Sequence, residues 1–186
     1  MDVQRLISKL CLEPCLWNGE FQKWCKPPTN SLGKFYSLYT WVPANSVLVY
    51  CLKISGFTLI YVPLQNKLYF ANPMFNLNAE CPVNTLFMCQ YFEEDNYEST
   101  DRLLYFDILY CNSEAMSLIP MERYQKLMSC QKYFQSNKAS LQWCGNQDAL
   151  NKQFIDSLPH QSFQKLGLCE LLCDIKIENF SWMTLN

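Results

Sequence analysis

The sequence lacks any apolar run that approaches the roughly 18 residues needed to cross a bilayer. The N-terminal residues 1–9 alternate apolar and polar side chains without a continuous apolar segment, which argues against a secretory signal. We therefore expect no membrane partner and a cytoplasmic or nuclear location.

Charge is also scarce. Charged residues make up 17% of the chain, and the net charge is −2 at pH 7. A protein that coats a nucleic-acid backbone needs clustered Lys and Arg, so the composition excludes extensive phosphate neutralisation. A nucleotide or an RNA end remains possible as a partner, because each needs only one local basic site.

Histidine is nearly absent, with His160 alone, and no Cys-x-x-Cys pair occurs among the 11 cysteines. Without an export signal we expect reduced thiols rather than a disulfide framework. A zinc site built from Cys11, Cys15 and Cys25 is one alternative. Small apolar side chains that face a core are the favoured interpretation, so we predict no metal site.

Apolar side chains, by contrast, are plentiful: hydrophobic residues make up 49% of the 186-residue chain and aromatic residues 15%. This length and composition fit one domain with a substantial core. Short apolar runs rich in β-branched and aromatic residues predict strands within 48–61, 68–70, 84–95 and 102–109. Gly56 is unusual inside such a run, since glycine weakens a strand unless a backbone or ligand comes close.

The flanking segments predict further elements. Apolar spacing predicts helices over 2–11 and 120–134, and the second of these presents Met121, Tyr124, Leu127 and Met128 to the core. We also predict a strand at 35–41, a helix at 150–158 and closing strands within 166–180, with loops at 12–34 and 136–147. The predicted division is an N-terminal helix and arm over 1–34 and a domain over 35–186.

Three short motifs follow one another in a recognisable order: Lys53-Ile-Ser-Gly56, Asn84-Thr-Leu-Phe-Met-Cys-Gln90 and Arg102-Leu-Leu-Tyr-Phe-Asp107. This order resembles the core of the covalent nucleotidyltransferases, which include mRNA capping guanylyltransferases and ATP-dependent nucleic-acid ligases. Those proteins carry Lys-x-Asp-Gly, then Asp-Gly-Glu, then a strand that ends in an aromatic-Asp pair. Asp174-Ile-Lys176 lies where the family has Lys-x-Lys, so the resemblance spans roughly residues 48–180.

The resemblance implies a fold and a site. The fold is α+β, with two packed, mostly antiparallel sheets and flanking helices, and without the OB-fold domain that follows in many relatives. Lys53 corresponds to the lysine that attacks the α-phosphate, and Phe106 to the aromatic ring that stacks on the purine. By the same resemblance, the nucleotide-binding residues are Lys53, Gly56, Gln90, Phe106, Asp107 and Lys176.

The departures from the family motifs concern its carboxylates. Ser55 replaces an aspartate, Met88 and Cys89 replace Asp-Gly, and Gln90 replaces a glutamate. Without those carboxylates the Mg²⁺-assisted stabilisation of phosphoryl transfer is lost. The sequence therefore predicts a pseudoenzyme without a cofactor, which would need Mg²⁺ only if it were active.

Three functions remain open at this point. The first is a catalytically degenerate, guanylyltransferase-like protein that binds a nucleotide, an RNA cap or an RNA end, similar in kind to the cap-binding domain of snurportin. The second is an active guanylyltransferase or RNA ligase that uses Lys53. The third is a protein-protein interaction module that uses the guanylyltransferase-like fold as a scaffold and presents an apolar, aromatic-rich surface. The oligomeric state is open in all three.

Overall fold

The computed structural model describes residues 2–16, 38–43, 46–94, 100–117, 119–141, 144–145, 165–171 and 180–184. Two α-helices in these ranges are α1 (Val3–Leu10) and α2 (Pro120–Ser129). The strands, in chain order, are β1 (Cys11–Pro14), β2 (Leu38–Pro43), β3 (Val47–Ile54), β4 (Phe57–Val62), β5 (Lys67–Ala71), β6 (Thr85–Glu94), β7 (Thr100–Cys111), β8 (Glu114–Ala115), β9 (Ala139–Leu141), β10 (Cys144–Gly145), β11 (Lys165–Leu171) and β12 (Phe180–Thr184). Neither described helix is long and apolar enough to span a bilayer.

The strands form two sheets. The larger has the order β1-β5-β4-β3-β6-β7-β8, and β9 also pairs with β7. The smaller has the order β10-β2-β11-β12. Every pairing between these strands is antiparallel except that of β9 with β7. The predicted α+β class with mostly antiparallel sheets is therefore confirmed.

The larger sheet has a core on each face, because successive side chains of a strand point to opposite sides. On β3, Val49 and Cys51 belong to a cluster that includes the buried face of α1, whereas Leu52 belongs to a second cluster with Leu86 and Met88. Lys53 lies two residues after Cys51 on the same strand, so its side chain points to the same face of the sheet, the one that α1 covers.

Helix α2 begins at Pro120, as the sequence predicts, but ends at Ser129, and a 3-10 turn follows at Gln131–Tyr133. Its predicted apolar face is wrong in part. Met121 and Met128 are 43% and 45% exposed, whereas Arg123 and Leu127 are buried. Arg123, which has an acidic partner in the core, belongs to the buried face of the helix, and a count of apolar residues cannot predict this.

Two predicted loops contain strands. Residues 11–14 form β1, which pairs with β5, and residues 139–141 form β9, which runs parallel to β7 at Leu103–Tyr105. Both are short strands that depend on distant partners, so their local sequences carry little strand signal. Strand β2 covers Leu38–Pro43, which confirms the part of the predicted strand at 35–41 that falls on described residues; residues 35–37 lie outside them. The predicted helix at 150–158, and the arm beyond residue 16, lie outside the described residues.

Candidate functional site

A pocket of about 370 Å³ opens where the β3–β4 hairpin meets the connection between β5 and β6. Three of its lining residues are buried, Lys53, Leu77 and Cys81, and they form its floor. Ser55 and Gly56 are exposed at its rim. The motif lysine and the motif glycine thus share one concave site.

Lys53 is the charged group of the floor, and it is only 6% exposed. Its Nζ donates a hydrogen bond to the Leu77 carbonyl oxygen over 3.0 Å. The N–H of the same Leu77 donates to Thr58 Oγ1 over 2.9 Å. An ammonium can donate three hydrogen bonds, and the acceptor found for Lys53 among the described residues is the Leu77 carbonyl. Because Lys53 also lines the pocket, a ligand there can accept a further hydrogen bond from it.

The connection that covers Lys53 is fixed to the chain that follows α2. Leu77 forms an antiparallel bridge with Phe134. The backbone N–H of Asn78 donates to the Tyr133 carbonyl over 3.0 Å, and its side-chain Nδ2 donates to the Lys132 carbonyl over 2.8 Å. The lysine is therefore held beneath a segment with defined partners.

Gly56 lies in the turn between β3 and β4, not inside a strand as the sequence suggested. Its φ is +81°, and a Cβ built on it would meet no heavy atom within 4 Å. The left-handed backbone of the hairpin turn therefore requires the glycine, whereas crowding by a neighbouring backbone does not.

Cys81 is the thiol of the floor. Burial raises its pKa to about 12, neighbouring Cys130 adds to the rise, and the Lys53 ammonium opposes it. A thiol with such a pKa is neutral at physiological pH and is a poor nucleophile. With Cys11, Cys51, Cys89 and Cys130 also buried, the interpretation of these cysteines as core side chains is confirmed.

Asp107 lies in a buried ion pair and not at the pocket. Arg123 Nε donates to Asp107 Oδ1 over 2.9 Å, and Arg123 Nη2 donates to Oδ2 over 3.2 Å. Burial raises the pKa of the Asp107 carboxyl, while the guanidinium and the Ile108 N–H oppose that rise. The pair joins α2 to β7, and this structural role was not evident from the motif.

Phe106 and Gln90 are also buried, at 1% and 2% exposure. In the β6–β7 register Met88 faces Asp107 and Cys89 faces Tyr105, so Phe106 is the extra residue of a bulge on β7. Its ring packs in the second core cluster with Leu86 and Met88. The structure thus brings Lys53 and Gly56 together and does not bring Gln90, Phe106 and Asp107 to the same pocket.

The binding roles of those three residues stay predictions, and Lys176 lies outside the described residues. Sequence reasoning missed two polar residues of the pocket, Asn76 and Gln135. Their segments meet through the bridge of Leu77 with Phe134 and the hydrogen bonds of Asn78, which no local pattern reveals. In the part of the chain that the structure describes, no group of three or more His, Cys, Asp or Glu side chains is placed to hold a metal ion.

Comparison with known proteins identifies no family for this chain. No protein-family model matches the sequence, and no curated protein matches it. The resemblance to covalent nucleotidyltransferases therefore rests on the motif residues alone. The chemistry of the site has to be argued from the side chains that form it.

Proposed function

We propose that this chain is a catalytically degenerate, guanylyltransferase-like protein that binds a nucleotide, an RNA cap or an RNA end at the Lys53 pocket. The observation that carries the proposal is the buried ammonium of Lys53 on the floor of a pocket of about 370 Å³. Small-molecule sites commonly measure roughly 300–1,000 Å³, so this volume suits a ligand of about mononucleotide size.

Burial and hydrogen bonding of Lys53 support binding without catalysis. A nucleophilic lysine must present an unprotonated nitrogen to the phosphorus. Here the Lys53 nitrogen donates to the Leu77 carbonyl beneath a fixed segment, so the protein already engages it. Two residues after Lys53, where the family has an aspartate, this chain has Ser55.

The residues in place of the family's Asp-Gly pair, and the remaining carboxylate of Asp107, also support this proposal. Met88 and Cys89, which stand in place of the Asp-Gly pair, are buried in the core at 1% and 0% exposure. The carboxylate of Asp107 is engaged by Arg123 on both oxygens. These side chains pack inside the sheet or join it to α2, and they are not available as metal ligands in this arrangement.

Equilibrium binding tests the proposal. The protein is titrated with GTP, ATP, capped RNA and uncapped RNA, and each titration is repeated with Lys53→Met and with Lys67→Met as the matched control. Lys67 is exposed on β5, away from the pocket. We expect Lys53→Met to weaken binding by about tenfold or more, because a charge-assisted hydrogen bond is lost, and Lys67→Met to leave it unchanged.

Covalent labelling separates the proposal from an active enzyme. The protein is incubated with radiolabelled GTP or ATP and Mg²⁺ or Mn²⁺, and the products are run on a denaturing gel. We expect no denaturation-stable label. A label that disappears in Lys53→Met would establish an active nucleotidyltransferase, and an absence of binding to every ligand would favour the protein-interaction module.

A further inference from the structure

We propose that the Lys53 pocket recognises the phosphate of its ligand and is indifferent to the base, with Lys53 supplying the charge and Asn76 and Gln135 supplying neutral donors. This inference rests on the proposed function, since it names which part of the nucleotide or RNA end is bound. It also assigns two residues that correspond to no motif of the family.

Charge distinguishes Lys53 from Arg123, the other buried cation of the described chain, which has a carboxylate partner in Asp107. Lys53 is just as deeply buried, yet its acceptor among the described residues is the neutral carbonyl of Leu77. A buried charge is costly unless it is paired, and its attraction to an opposite charge is strong in a low-dielectric site. An oxyanion is therefore the ligand group that best complements this floor.

Neutral hydrogen-bond donors lie around the ammonium. Asn76 is half-buried in the connection before β6, and Gln135 is exposed just after the Leu77–Phe134 bridge. Each side-chain amide offers two N–H donors, and Ser55 adds a hydroxyl from the hairpin. Three segments thus converge with the ammonium on one space. A phosphate monoester matches this set, because it offers three strong acceptor oxygens.

The apolar lining of the pocket offers little to a base, since its described residues are aliphatic or small and include Leu77, Ala79 and Val83. The ring predicted to stack on the purine, Phe106, is 1% exposed in the core cluster on the opposite side of the sheet. Stacking on an aromatic side chain contributes about 1–3 kcal/mol per base. Without that contribution, most of the affinity comes from the phosphate.

The test is a set of calorimetric titrations of the full chain in EDTA at low ionic strength. The ligands are ribose 5-phosphate, AMP, GMP and guanosine. We expect ribose 5-phosphate, AMP and GMP to bind within about threefold of one another and guanosine to bind at least about tenfold more weakly. Mg²⁺ added in excess over the EDTA should leave all four affinities unchanged. Short RNAs with a 5′-phosphate or a 5′-hydroxyl distinguish an RNA end from a free sugar phosphate as the source of the phosphate.

Two variants test the assigned donors. Asn76→Ala and Gln135→Ala should each weaken the binding of ribose 5-phosphate by about three- to tenfold, as expected for one hydrogen bond of ordinary net strength. Gln131→Ala is the control, since Gln131 is exposed nearby but does not line the pocket. Thermal unfolding of each variant establishes that it is folded.

The outcomes separate this inference from the proposed function. Guanosine binding as tightly as GMP, a marked preference for one base, or a requirement for Mg²⁺ would overturn the phosphate inference and leave nucleotide binding standing. Failure of all these ligands to bind, while GTP, ATP or capped RNA does bind, would overturn the inference alone. Failure of every one of them would overturn the inference and the proposed function together.

Discussion

Arg123 and Asp107 form a two-point ion pair in the interior, with Nε 2.9 Å from Oδ1 and Nη2 3.2 Å from Oδ2. Their side chains are 5% and 2% exposed. A buried pair of this kind contributes little net stability as a unit, because desolvation offsets attraction, but the loss of one partner leaves an uncompensated charge. The pair therefore fixes the position of α2 on β7 more than it stabilises the fold.

Removal of the guanidinium should destabilise the protein strongly. We expect Arg123→Met to lower the free energy of unfolding by about 3–5 kcal/mol, because Asp107 is left buried and unpaired. Urea denaturation measures the change. Arg5→Met is the matched control, since the Arg5 side chain is 60% exposed and forms only a loose pair with Glu93.

The double variant Arg123→Met/Asp107→Leu should recover much of that loss, because both charges are then absent from the core. If the single variant were as stable as the natural protein, the ion pair would not be formed in solution.

A second prediction compares two neighbours on α2. Leu127 is fully buried, and Met128 is 45% exposed. Leu127→Ala should cost about 2–5 kcal/mol through lost burial and the cavity left behind. Met128→Ala should change stability by no more than about 0.5 kcal/mol. Thermal melts of the two variants measure the difference, and equal effects would mean that the helix presents the face that the sequence predicted.

The third prediction concerns pH. Burial alone would raise the pKa of Asp101, but hydrogen bonds from Lys138 and Tyr91 outweigh it and hold that pKa below its ordinary value of 3.8. The folded carboxyl thus binds its proton less tightly than the unfolded one. Its contribution to stability is present above the ordinary pKa and is lost as the pH falls through the lower folded value.

Asp101→Asn should therefore be less stable than the natural protein at neutral pH and should lose less stability below about pH 4. Denaturation curves between neutral and acidic pH measure both effects. Glu13→Gln controls for the loss of one exposed negative charge. Identical acid sensitivity of the natural protein and Asp101→Asn would show that the network around Asp101 does not act on its titration.

The fourth prediction concerns the hairpin turn at the rim of the pocket. Gly56 has φ +81° and open space where a side chain would begin, so strain in a substituted protein comes from the backbone alone. Gly56→Ala should cost about 1–2 kcal/mol, and Gly56→Asn should cost less, because Asn tolerates the left-handed region better. Chemical denaturation measures the order of the variants; an alanine variant of unchanged stability would contradict the turn geometry.

The strands of the larger sheet were predictable because their signal is local. Runs such as 48–54 and 102–109 carry aromatic and β-branched residues between turn formers, and they became β3 and β7. Strands β1 and β9 were not predictable, since four residues ending in Pro14 and three around Ser140 become strands only by pairing with β5 and β7.

The residues of the candidate site also divide into those that the sequence could predict and those that it could not. Lys53 near the end of β3 and Gly56 in the turn that follows are three residues apart, so their proximity follows from the sequence. Asn76 and Gln135 lie far apart in the chain, and Asp107 is paired by a residue 16 positions later. Contacts between residues so far apart in the chain depend on tertiary packing. That packing determines whether a polar residue faces a ligand or a partner in the core.

The backbone of Leu77 connects the β3–β4 hairpin to the chain that follows α2. Its carbonyl and N–H are held from β3 and β4, and its backbone also bridges Phe134 behind α2. The cover of the pocket cannot open without releasing the chain after that helix. In native-state hydrogen exchange the amides around Leu77 and Phe134 should therefore behave as a single cooperative opening unit, slowed together by any ligand of Lys53.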